Sequence, residues 1–123
     1  MPWKLDSQKP IYAQLVEKVQ LDIVTGRYQP GEKLPSVREL AAQAAVNPNT
    51  MQKALSELEG SGLLYALRTS GRFVTDDVRR IQEVRKSLAS MQVKEFVEKM
   101  RSLGMTPEEI MKLMQDIIRE ETL

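Results

Sequence analysis

The fold is decided between Leu34 and Gly60, in LPSVRELAAQAAVNPNTMQKALSELEG. Two helix starts lie inside this stretch. Ser36, followed three residues later by Glu39, forms a capping box in which each side chain satisfies a backbone N–H near the other. The helix it opens runs through Ala41, Ala42, Gln43 and Ala44, whose small side chains permit close approach to a neighbour, and stops near Ala45-Val46. Asn47-Pro48 then starts a second helix, with Asn as N-cap and Pro at the first helical position, where its missing N–H costs nothing. From Asn49 to about Ser61, Met51, Leu55 and Leu58 form one stripe with Ala54 beside it. Asn49, Gln52, Lys53, Ser56 and Glu57 fall on the other faces. Two short helices joined by so few residues have helix-turn-helix spacing.

Upstream, residues 10–25 form an amphipathic helix: Ile11, Leu15, Val19 and Ile23 recur every four residues, Val16 and Val24 widen the stripe, and Gly26 ends it. Tyr28 to Lys33 reads as a turn punctuated by Pro30 and Gly31. Downstream, Gly60 and Gly62 close the second short helix. Leu64–Leu67 and Arg72–Thr75 then read as two strands around Arg68-Thr69-Ser70-Gly71, a β-hairpin whose tip needs the positive φ that Gly71 allows. After Asp76-Asp77 the pattern is helical only. Ile81, Val84, Leu88, Met91, Phe96, Val97, Met100 and Leu103 stripe one long helix, and Thr106-Pro107-Glu108-Glu109 opens another with Ile110, Leu113, Met114, Ile117 and Ile118 on its apolar face.

The expected fold is therefore mainly α with a small β-hairpin: a winged helix-turn-helix in residues 1–75, then a two-helix C-terminal dimerisation region in 76–123. A helix of about 26 residues spans roughly 40 Å. Its far half cannot be buried against so small a head, so a second copy of the chain is the natural cover.

Composition narrows the function. The chain has 123 residues, 41% hydrophobic and 28% charged, the balance of a globular domain. It has no Cys and no His. Disulfides, thiolate zinc sites, Cys nucleophiles, Ser-His-Asp triads and His proton transfer are excluded, so an enzyme is disfavoured and a binding protein expected, with no catalytic residue, metal or cofactor. Glu108-Glu109 and Glu120-Glu121 read as helix-end and surface charge. No apolar run approaches the roughly 20 residues of a membrane span. Met1-Pro2-Trp3-Lys4 does not lead into a secretory apolar region, so the chain is expected in the cytoplasm with no membrane partner.

The net charge of +1 points to no partner. Any case for nucleic acid rests on where the cations sit. In a helix-turn-helix the second helix enters the major groove N-terminus first. Here that end carries Asn49, Thr50, Gln52 and Lys53, donors and acceptors suited to base edges and phosphates. The helix starts at Ser36 and Asn47 add partial positive charge and free N–H groups. Arg38 in the earlier helix, with Arg68 and Arg72 flanking the hairpin tip, supplies cations around the same face. Each residue also has a plainer role. Ser36 and Asn47 are caps first, Arg38 alone is a solvated helix cation, and Arg68 and Arg72 keep a hairpin edge from pairing. The succession of capped helix, capped helix and hairpin promotes them together.

The segments PGEKLPSVRELA and VNPNTMQKAL, within the stretch from Pro10 to Leu64, resemble the DNA-binding domain of the GntR family of bacterial transcription regulators. The likeness covers residues 10–75, and the short helical tail resembles the YtrA-type subfamily. That resemblance implies a homodimeric repressor on double-stranded DNA with a palindromic operator. It places the third helix in the major groove, the wing in the minor groove and the dimer contact in the two C-terminal helices. It puts Arg38 on the family's DNA-contacting arginine of helix two, and Asn47, Asn49, Thr50 and Lys53 in the recognition turn and helix. Gly71 falls on the wing glycine of tips that read GxGTFV. This chain instead reads Thr69-Ser70-Gly71-Arg72-Phe73-Val74. Thr69 replaces the first glycine, Ser70 the usual cation, and Arg72 is the expected replacement cation.

Two helices after Thr75 are too little to enclose a pocket of roughly 300–1,000 Å³ within one subunit. No small-molecule effector, operator sequence or regulated gene is readable. The alternative reading is a winged-helix protein–protein adaptor without DNA binding, favoured by the near-neutral charge and the altered wing tip.

Overall fold

A computed structural model describes residues 3–122. The elements are α1 (Ile11–Val24), α2 (Val37–Ala44), α3 (Pro48–Gly60), β1 (Leu64–Leu67), β2 (Gly71–Val74), α4 (Val78–Ser102) and α5 (Pro107–Thr122). The chain forms two compact units, the first ending at Arg85 and the second beginning at Lys86.

In the first unit α3 is the hub, packing against α1, α2 and β1. Leu15 and Val19 of α1, Leu40 of α2, Met51, Leu55 and Leu58 of α3, and Leu63, Leu64 and Val74 around the hairpin are fully buried. Each such side chain contributes about 1.5–3 kcal/mol by leaving water. Ile81 and Val84 of α4 are also buried, which explains why this unit continues past Thr75. Asp22, the one buried charged side chain there among the described residues, accepts both short bonds of the Lys18 ammonium one turn away (2.8 and 3.0 Å).

The angle between α2 and α3 is set by Ala45, whose φ of 59° and ψ of 48° are left-handed. The Val46 N–H donates to Ala41 O (3.0 Å) and the Ala45 N–H to Ala42 O (3.2 Å), a Schellman turn. Holding alanine there costs about 1–2 kcal/mol relative to right-handed backbone.

The hairpin pairs Leu64 with Val74, Tyr65 with Phe73, Ala66 with Arg72 and Leu67 with Gly71. β2 starts one residue earlier than expected, at Gly71, and ends at Val74. The stretch expected only as a turn adds a second pairing, on the other edge of β2. Lys33 bridges Phe73 antiparallel, the Gly31 N–H donates to Val74 O (3.0 Å), and the Val74 N–H donates to Glu32 O (2.9 Å). The outer edge of β2 would otherwise leave these backbone groups without protein partners.

In the second unit, Ile110 is the buried residue of α5, while Met91, Val93, Phe96, Leu103, Met111, Leu113, Ile117 and Ile118 are exposed. Among the described residues no helix is long and apolar enough to cross a membrane.

Candidate nucleic-acid interface

Both predicted caps form. The Glu39 N–H donates to Ser36 Oγ (3.1 Å) and the Ser36 N–H to Glu39 Oε1 (3.3 Å). The Asn49 N–H donates to Asn47 Oδ1 (2.7 Å), leaving the Asn47 amide nitrogen without an acceptor among the described residues, beside the start of α3. Asn47, Asn49, Gln52 and Lys53 are exposed and Thr50 half-buried. Arg38 is exposed in the first turn of α2, and among the described residues no carboxylate pairs with it.

Two side chains on this face are held by neighbours. Gln52 Nε2 donates weakly to Ser56 Oγ (3.4 Å). The Lys53 ammonium lies 4.3 Å from the centroid of the Tyr12 ring, and the Tyr12 hydroxyl donates to Glu57 Oε1 (3.3 Å). Tyr12, from α1, thus orders the exposed face of α3; the sequence reading missed it because the contact exists only once α1 packs on α3.

At the wing tip Arg68, Thr69, Ser70 and Gly71 are exposed. The Ser70 N–H donates to Leu67 O (3.0 Å), and Gly71 has the expected positive φ, 104°. Thr69 to Arg72 and the lead into α2, Lys33 to Val37, line one cleft of about 360 Å³. Ser36 and the wing tip are therefore brought together. Lys33 joins them as an exposed cation without a carboxylate partner among the described residues. Its place in a Pro/Gly turn hid it from sequence reasoning.

Arg72 is held differently from Arg68. It is not a free cation at the tip: its guanidinium Nε donates to Glu59 Oε1 near the end of α3. The strand period explains this. Val74 faces the core, so Arg72, two residues earlier, shares its face, while Tyr65 and Phe73 stack on the opposite one, 5.7 Å between centroids.

A cleft of about 550 Å³ lined by Trp3, Leu5, Lys18 and Leu21 runs along α1, so this concavity of ligand size lies in the first unit and not in the two C-terminal helices considered above. Among the described residues no group of three or more His, Cys, Asp or Glu side chains is placed to hold a metal.

The family described as bacterial regulatory proteins, gntR family, matches residues 11–74, more than half of the chain. The chain belongs to the GntR family. The GntR match takes in α1 through β2, every element of the face just described. Over 109 residues the chain is 38% identical to the HTH-type transcriptional regulator YhcF of Bacillus subtilis, covering 89% of this chain and 90% of that protein. It is 32% identical over 112 residues to the HTH-type transcriptional repressor YtrA of Bacillus subtilis, covering 90% and 86%. A GntR family transcriptional regulator from Listeria monocytogenes superposes with a TM-score of 0.85 at 40% identity, over 91% of this chain and 98% of that one. AraR(DBD) in complex with operator ORX1 superposes with a TM-score of 0.53 at 34% identity, over 61% and 92%.

Proposed function

We propose that this GntR chain is a repressor that binds a palindromic operator as a homodimer through its C-terminal helices. Its family makes it a DNA-binding transcriptional regulator. The finer reading takes support from the repressor name of its YtrA relative and the operator complex of AraR.

One observation carries the proposal: the N-terminal ends of α2 and α3 and the wing tip present exposed polar and cationic side chains, while the apolar faces of the same elements are buried. In the proposed complex Asn49, Thr50, Gln52 and Lys53 read the major groove, and Asn47 contributes its amide donor. Ser36, Arg38 and Lys33 hold phosphates, and Arg68, Thr69, Ser70 and Gly71 enter the neighbouring minor groove. Locally placed cations answer the near-neutral total charge. Met91, Phe96, Leu103, Ile117 and Ile118, exposed in a single chain, supply the surface that a second copy covers. The adaptor reading is not the one the relatives favour. The proposal assigns the chain no catalytic step, cofactor or effector.

Gel-shift titration against genomic fragments tests it, combined with sedimentation of the free protein. Retarded fragments and a dimer are expected, with affinity falling steeply as salt rises because phosphate contacts release counterions. Arg38→Ala and Lys53→Ala weaken binding while the fold persists. Equal binding by both variants and the parent at moderate salt refutes this face.

A further inference from the structure

We propose that Arg72 and Glu59 are a positioning pair that fixes the wing relative to α3, so that operator affinity depends on both side chains although neither touches DNA. The inference rests on the operator-binding reading above. Arg72 joins all three elements of the face. Its backbone lies in β2, its side chain reaches across to α3, and its carbonyl accepts from the Leu34 N–H (2.9 Å), two residues before the cap of α2. The two side chains are only 17% and 32% exposed, so solvent and salt screen the pair less than an open one.

The lever is short. Arg72 follows Gly71, which pairs with Leu67 at the base of the tip, so rotation of β2 about Arg72 moves Arg68, Thr69 and Ser70 directly. The ladder to β1, the N–H bonds from Gly31 and Leu34 and the bond that Glu32 O accepts from the Val74 N–H hold β2 in its sheet. The Arg72 guanidinium ties that sheet to α3 from a point next to the tip. Glu59 also makes the inference discriminating. A carboxylate beside a phosphate-binding face opposes DNA binding on charge alone, so its removal strengthens binding unless the carboxylate has a positioning role.

The test compares the parent with Glu59→Gln, Arg72→Gln and the exchanged pair Glu59→Arg/Arg72→Glu, on operator DNA and on a scrambled duplex across a salt series. Each single variant is expected to bind operator about tenfold more weakly, with the exchanged pair recovering most of the loss. Binding to scrambled DNA and the salt slope stay at the parent's values. A purely stabilising ion pair would leave the ratio of operator to scrambled binding unchanged, and that result overturns the inference. So does tighter binding by Glu59→Gln with a slope shallower by about one in Arg72→Gln, which makes Arg72 a direct phosphate contact. Amide exchange in the free protein gives a readout without DNA: faster exchange at Leu67 to Ser70 in both single variants supports the clamp, and unchanged exchange in both overturns it. A parent that does not separate operator from scrambled DNA overturns the operator reading itself, a failure distinct from equal binding by parent and variants.

Discussion

In the proposed complex Asn47 has two jobs that substitution can separate. Its Oδ1 caps α3 by accepting from the Asn49 N–H at 2.7 Å, while the residue is exposed and its amide nitrogen finds no acceptor among the described residues. Asn47→Ala removes both groups. Loss of the cap costs about 1 kcal/mol, or about 3–7 °C in Tm for a unit of this size. Asn47→Asp keeps the acceptor, and its charge suits the positive end of α3, so stability should stay within about 0.5 kcal/mol of the parent. On DNA the order reverses. Asp lacks the donor and sets a negative charge toward phosphates; forfeiting a hydrogen bond to a charged group costs about 2 kcal/mol, roughly a 30-fold loss of affinity. Thermal unfolding by circular dichroism and fluorescence-anisotropy titration of labelled operator measure the two effects. Asn47→Asp destabilised as much as Asn47→Ala would refute the capping argument. Asn47→Asp binding as tightly as the parent would refute the placement of this residue against DNA.

Arg38→Ala should weaken binding to all duplexes alike and make the plot of log affinity against log salt shallower by about one, since one phosphate contact is lost. Leu58→Ala, truncating a fully buried side chain on the hub helix, should cost about 2–5 kcal/mol in urea unfolding. Gly71→Ala places a Cβ at a φ of 104°, 3.2 Å from Lys33 Cε, and should loosen the hairpin by about 1–3 kcal/mol, read as faster amide exchange in β1 and β2. Ile117→Glu with Ile118→Glu should shift sedimentation from dimer to monomer while far-ultraviolet dichroism is retained. Tyr28 is held above its ordinary 10.0 by burial first, then by Asp22, so its contribution is full below pH 10 and lost as pH rises past it. Tyr28→Phe should flatten the alkaline side of the stability curve.

The parts of the fold written in local chemistry were legible. Ser36 with Glu39, Asn47 with Pro48, and Thr106 with Glu109 mark helix starts by side-chain-to-backbone bonds within three residues, and all three form. Gly71 announced the tip because left-handed backbone favours it. Ala45 gave no such signal: its left-handed turn carries no glycine. The candidate site divides the same way. Arg38, Asn49 and Thr69 could be placed from their distance to a cap or a turn. Tyr12, Lys33 and Glu59 could not, since each acts through a residue far along the chain. The pairing of Arg72 was legible in part. The core position of Val74 fixes its face by strand alternation, whereas its partner Glu59 lies on another element, thirteen residues away.

Selection of bound duplexes from a random pool by the purified protein probes the paired-helix claim most directly. Two related half-sites in inverted orientation are expected, their centres about one helical turn, near 34 Å, apart. Enrichment of a single unrepeated site, or of no sequence at all, would contradict it.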